Sequence, residues 1–480
     1  MILRPQHFKN LGANLLPFSD AASDGLPMAQ LMRLSLFQVS VGMATVMLLG
    51  TLNRVMIVEL SVPATIVAVM IALPVLIAPF RALLGFRSDT YRSAIGWKRI
   101  PYLWFGSLWQ MGGLAVMPFA LIVLSGQQTL GPSWAGEVLA ALAFLMTGLG
   151  LHMTQTAGLA LATDRADEAT RPRVVALLYV MFLLGMGLSS IIIGWLLRDF
   201  SELQLVRVVQ GAAVVGIVLN LIALWKQEHV NPMTQAQRAE PRPAFGAAWR
   251  DFLQGGQAGR LLAVAFIGTM AFNMQDVLLE PYGGEILGLS VSSTTLLTAI
   301  WALGALAGFA LAGRQLTRGR DPYRLAATGL LAGIAAFSTV IFAAPAGSTA
   351  IFFIGTMLIG FGGGLFSVAT LIAAMSLPSR GVAGHGLALG AWGAAQATAA
   401  GLSIAFGGAL RDGINAWATS GALGEALNSP ATGYSFVYHF EIALLFVTLI
   451  ALGPLVRVGR ASQTHSPSAA ARIGLADFPT

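Results

Sequence analysis

Cysteine is absent from the 480 residues, and histidine occurs only 6 times. A disulfide framework, thiolate catalysis and a cysteine-held metal are therefore excluded. No phosphate loop ending in Gly-Lys-Ser/Thr, no His-Glu-x-x-His pair and no Gly-x-Ser-x-Gly elbow occurs. ATP-driven work through that loop, zinc hydrolysis and esterase chemistry thus lack their residues. Charge is scarce as well: Asp, Glu, Lys and Arg make up 10% of the chain, against about 25% in a soluble domain. Arg4, Lys9, Asp20 and Asp24 interrupt the first 30 residues. No short apolar run there ends in a small-residue cleavage site, so no cleavable leader is expected.

What is abundant is apolar. Hydrophobic residues form 56% of the sequence, which in water would leave large exposed patches. Lipid as the solvent removes that difficulty. The 55 glycines fit the same reading, because small residues let membrane helices approach closely. A spanning helix needs roughly 20 apolar residues. Such runs lie at 34–59, 62–84, 101–124, 138–161, 174–197 and 205–225, then at 260–280, 290–312, 324–344, 349–374, 382–408 and 434–456. They are too long and continuous for barrel strands. The expectation is an all-α polytopic membrane protein with 12 transmembrane helices.

Basic residues test that map independently. With the N-terminus in the cytoplasm, all 28 Lys and Arg residues except Arg54, Arg198, Arg207 and Arg411 fall on the cytoplasmic side, as the positive-inside rule requires. Topology and anionic lipid headgroups account for the formal net charge of +7, so no nucleic-acid partner is needed. The chain divides into a cytoplasmic segment 1–33, a six-helix bundle 34–225, a cytoplasmic linker 226–259, a second six-helix bundle 260–456 and a cytoplasmic tail 457–480. The tail is small and polar and is read as disordered.

The two bundles echo each other. Gly148-Leu149-Gly150 with Ala157 and Leu159 matches Gly360-Phe361-Gly362 with Ala369 and Leu371 at one constant offset. Gly50-Thr51, followed by Asn53 and Glu59, has a counterpart in Gly268-Thr269, followed by Asn273 and Glu280. Parallel six-helix repeats are the layout of the major facilitator fold.

Four strings go further. Leu36-Phe-Gln-Val-Ser-Val-Gly-Met-Ala-Thr45 is followed by Gly50-Thr-Leu-Asn-Arg-Val-Met-Ile-Val-Glu-Leu60. Ala78-Pro-Phe-Arg-Ala-Leu-Leu-Gly-Phe-Arg-Ser-Asp-Thr90 is followed by Gly96-Trp-Lys-Arg-Ile-Pro-Tyr102. Over residues 30–456 the chain resembles the PucC/LhaA light-harvesting assembly proteins, the bacteriochlorophyll delivery family of the major facilitator superfamily, and within it the LhaA-like member serving the core antenna. The resemblance implies a non-enzymatic assembly factor in the bacterial inner or intracytoplasmic photosynthetic membrane, with bacteriochlorophyll a as bound pigment or cargo. It implies alpha and beta light-harvesting polypeptides as partners, together with pigment-synthesis enzymes, the membrane insertion machinery and membrane lipids. The oligomeric state is not readable from sequence.

Several residues stand out. Gly85, Asp89, Arg92, Lys98 and Arg99 resemble the major facilitator loop signature with its basic residues spread apart; they form either a structural latch or a moving gate. Arg54 is a charge at membrane depth and must face a cavity or a partner. Glu59 is five residues on and poorly placed on a regular helix, so Asp276 or Glu280 is the expected partner across the halves. Asn53 and Asn273 join them as a cavity lining, and an ion pair, proton coupling and substrate contact stay open. His152 lies inside an apolar helix, where it either bonds across a helix interface or ligates a chlorin magnesium; His439 near Glu441 has a similar claim. Trp104 and Trp109 follow the interfacial Trp97 and Tyr102 and face either lipid or a pigment. A secondary transporter of a porphyrin, lipid or other amphiphile, and a pigment-free scaffold, are the alternatives to pigment delivery.

Overall fold

A computed structural model of the chain describes residues 21–23, 25–76, 96–97, 99–125, 132, 134–167, 170–228, 257–316, 318–375 and 385–463. Among these there is no strand. Helix α1 (Met28–Thr45) continues into two π-helical stretches, Val46–Leu52 and Val55–Glu59. It is followed by α2 (Ala64–Leu76), α3 (Ile100–Leu124), α4 (Ala135–Arg165), α5 (Arg171–Leu196) and α6 (Glu202–Leu224). Helix α7 (Gln257–Asn273) passes through a 3-10 turn, Met274–Val277, into a short helix, Leu279–Glu285. The chain ends in α8 (Val291–Leu316), α9 (Pro322–Ala343), α10 (Thr349–Met375), α11 (His385–Thr419) and α12 (Ala431–Gln463). Ten of these helices are long and apolar enough to cross a membrane, α2 is a shorter apolar helix, and α11 is diluted by glycine and alanine. The protein is an all-α, multi-pass membrane protein.

Local chemistry sets several ends. Ser201 accepts a hydrogen bond from Gln204 N at 3.1 Å and starts α6, and Asp321 accepts from Tyr323 N at 2.9 Å with Pro322 in the first turn of α9, both N-cap arrangements. One end moved. The run expected to stop at 408 continues as α11 to Thr419. Gly407 lies against Met274, and Gly408 lies against Ala64 and Ala68. That glycine pair permits close approach rather than ending a helix.

Helix pairs recur at an offset of six. α3 packs along α4 as α9 does along α10, α1 along α5 and α6 as α7 along α11 and α12, and α2 against α4 as α8 against α10. Two further contacts, α2 with α11 and α5 with α8, join the sets. The repeated glycines explain the match. Gly150 sits on the α3 backbone at Gln110, and Gly362 sits on the α9 backbone at Gly329 and Gly333. Gly148 meets Pro74 of α2, and Gly360 meets the Trp301 carbonyl of α8. The loop-signature residues Gly85, Asp89, Arg92 and Lys98, linker residues 229–256 and tail residues 464–480 lie outside the described residues.

Candidate functional site at the seam of α1 and α7

The two irregular helices meet. A π-helix adds a residue per turn, which brings residues i and i+5 together. Arg54 therefore donates to Glu59, the partner a regular helix disfavours. Its second guanidinium nitrogen donates to the Leu289 carbonyl at 3.2 Å, and its Nε packs on Gly284. Neither Asp276 nor Glu280 pairs with it, contrary to the expectation from sequence. Asp276 instead accepts from Asn273 Nδ2 at 2.9 Å and from Gln275 Nε2. Glu280, 4% exposed, accepts from Thr298 Oγ1 at 2.7 Å. Asn53 is fully buried and donates across the seam to the Val277 carbonyl at 2.9 Å. Thr51 and Thr295 share a hydroxyl–hydroxyl bond of 3.2 Å.

Sequence reasoning missed the neighbouring carboxylates. Glu441 is fully buried and accepts from Gln275 N at 2.7 Å, capping the backbone where α7 breaks. Asp412 reaches from α11 to the first turn of α2, accepting from Thr65 N and Thr65 Oγ1 at 2.7 Å each. Arg411, beside it, donates to Glu285 at 2.5 Å, to Asp412 at 2.8 Å and to Tyr434 at 3.2 Å. The signals were present: two opposite charges in a glycine-rich helix, and an acid two residues from His439. At the other end of the bundle Arg99 donates to Asp164 at 2.9 Å. The Glu228 carboxylate accepts from Arg99 N and Ile100 N, each at 3.0 Å, and caps α3.

Residues 51–460 match the PUCC protein family. The chain belongs to that family. It is 62% identical, over the full length of both, to an uncharacterized protein of the puhA-bchM intergenic region in Rhodobacter capsulatus. It is 50% identical to protein PucC of Cereibacter sphaeroides over 95% of this chain and 98% of that one. Among solved structures a bacterial homolog of the lysosomal transporter Spinster superposes with a TM-score of 0.66 at 15% identity, covering 92% and 98% of the two chains. The nucleoside transporter NupG gives 0.62 at 14% identity, covering 88% and 99%. These likenesses establish a major facilitator-like fold. The PUCC family is non-catalytic, and the protein is not an enzyme.

The pigment candidates of this PUCC protein lie on α3, α4 and α12. Trp104 and Trp109 are 36% and 47% exposed on α3. His152 is half-buried in α4, where its carbonyl accepts from Thr156 Oγ1 at 2.8 Å. His439 is exposed on α12, while Glu441 points into the core. The four are thus spread over three helices.

Proposed function

We propose that this PUCC-family protein escorts bacteriochlorophyll a to nascent alpha and beta light-harvesting polypeptides during assembly of the core antenna, as an LhaA-like member. In this reading all twelve helices cross the bacterial inner membrane in two six-helix halves, with both termini cytoplasmic. The six-helix offset of the packing and the distribution of basic residues support that layout.

One observation carries the pigment. The Nδ1 of His439 lies 2.7 Å from the Ser435 carbonyl, which can only accept, so Nδ1 donates there, and in the neutral imidazole Nε2 is the acceptor. The ring sits eight residues into α12, roughly 12 Å along the helix axis, on an exposed face with Phe436. A chlorin brings its own four nitrogens and an open axial position on magnesium. His439 would fill it, with the Ser435 carbonyl fixing the ring, the usual device for orienting a ligating imidazole.

The test is the absorption spectrum of protein purified gently from a phototrophic host lacking antenna polypeptides, with extracted pigment quantified. Stoichiometric pigment lost in His439→Ala supports the reading; pigment retained in His439→Ala but lost in His152→Ala moves the ligand to α4. A second reading, a secondary transporter of an amphiphile, draws on the bonds that close the halves together around Arg54 and Asp412, as alternating access requires at one end. Light-independent uptake of a porphyrin into proteoliposomes, without stable pigment, would favour it.

A further inference from the structure

We propose that Glu280 and Asn53 form a binding site for a monovalent cation of sodium size in the seam between the two irregular helices. Glu280 uses one oxygen for Thr298 Oγ1, and its Oε2 is buried with no hydrogen-bond partner. Asn53 spends its amide protons on the Leu49 and Val277 carbonyls at 3.0 and 2.9 Å, and its Oδ1 is likewise buried and unpartnered. Gly50 makes the approach possible: a Cβ there would stand 2.4 Å from Glu280 Oε1 and 3.2 Å from Thr298 Oγ1. The donors available are one carboxylate, one amide carbonyl and the Thr298 hydroxyl. That is a hard oxygen set suited to alkali and alkaline-earth ions.

Charge selects the class. Arg54 lies one helical turn from Glu280, against Gly284, but gives its charge to Glu59. No cation hydrogen-bonds Glu280, and an ionised carboxylate buried without a counter-charge is strongly unfavourable. One positive charge balances it; a divalent ion would face Arg54 with a surplus. Interrupted membrane helices supply ion sites of this kind because freed backbone and side-chain oxygens gather at the break.

The inference does not rest on the pigment reading, and its test uses no pigment. The full chain in lipid nanodiscs is unfolded thermally in sodium chloride and in choline chloride at equal ionic strength. The melting temperature is higher in sodium, because a ligand of the native state stabilises it. Glu280→Gln abolishes the difference, Asn53→Ala raises the sodium concentration needed at least tenfold, and Asp276→Asn leaves the response intact. Binding of radiolabelled sodium to the wild-type protein gives a readout independent of variant folding. Equal melting temperatures in the two salts with no bound label, or a sodium response that survives Glu280→Gln, would overturn the proposal.

Discussion

Replacing Asp412 with alanine should loosen the end of the bundle where Arg54 and Arg411 lie. Asp412 caps α2 from α11 through two bonds of 2.7 Å, and it shares Arg411 with Glu285. A hydrogen bond to a charged group contributes roughly 1.5–3 kcal/mol. Losing both cap bonds therefore costs at least about 3 kcal/mol, which is about a hundredfold in the ratio of closed to open forms. Arg411 keeps Glu285 and Tyr434, so the helices themselves persist. The absence of cysteine makes the assay clean: spin labels on Leu203→Cys at the start of α6 and Thr419→Cys at the end of α11 report only that separation. The Asp412→Ala protein should show a longer and broader distance distribution than the wild type, with Asp412→Asn between them. Identical distributions together with an unchanged melting temperature would refute the reasoning.

Other outcomes follow from packing and capping. Gly304→Ala places a Cβ 2.0 Å from the Met357 carbonyl and should destabilise by about 1–3 kcal/mol. Gly187→Ala meets nothing within 4 Å and should be neutral or stabilising by up to about 1 kcal/mol; thermal unfolding in detergent compares the two. Glu441→Ala leaves the Gln275 N–H without its acceptor and should cost about 1–3 kcal/mol, whereas Glu441→Gln retains an acceptor and most of the stability. Glu228→Ala should lower the melting temperature by removing the α3 cap, worth about 1 kcal/mol.

The helices were legible because lipid demands long apolar runs, and those runs needed no tertiary knowledge. The repeated Gly148–Gly150 and Gly360–Gly362 strings were legible because close backbone approach tolerates only glycine, and they pack on corresponding helices. The pairing of Arg54 was not legible. It depends on a π-helical α1, and neither local propensity nor apolar periodicity announces that extra residue per turn. The same holds for the break in α7: Glu441 caps it from a helix more than 150 residues later. Asp412 was hidden for a different reason, since Gly407 and Gly408 imitate a helix end while serving contact with α2 and α7.

The most direct test of the account is the pigment content of the protein purified from a host without antenna polypeptides. Bacteriochlorophyll should be present in simple stoichiometry and be lost in His439→Ala while the melting temperature is retained. Protein that is folded and free of pigment in hosts both with and without antenna polypeptides would contradict it.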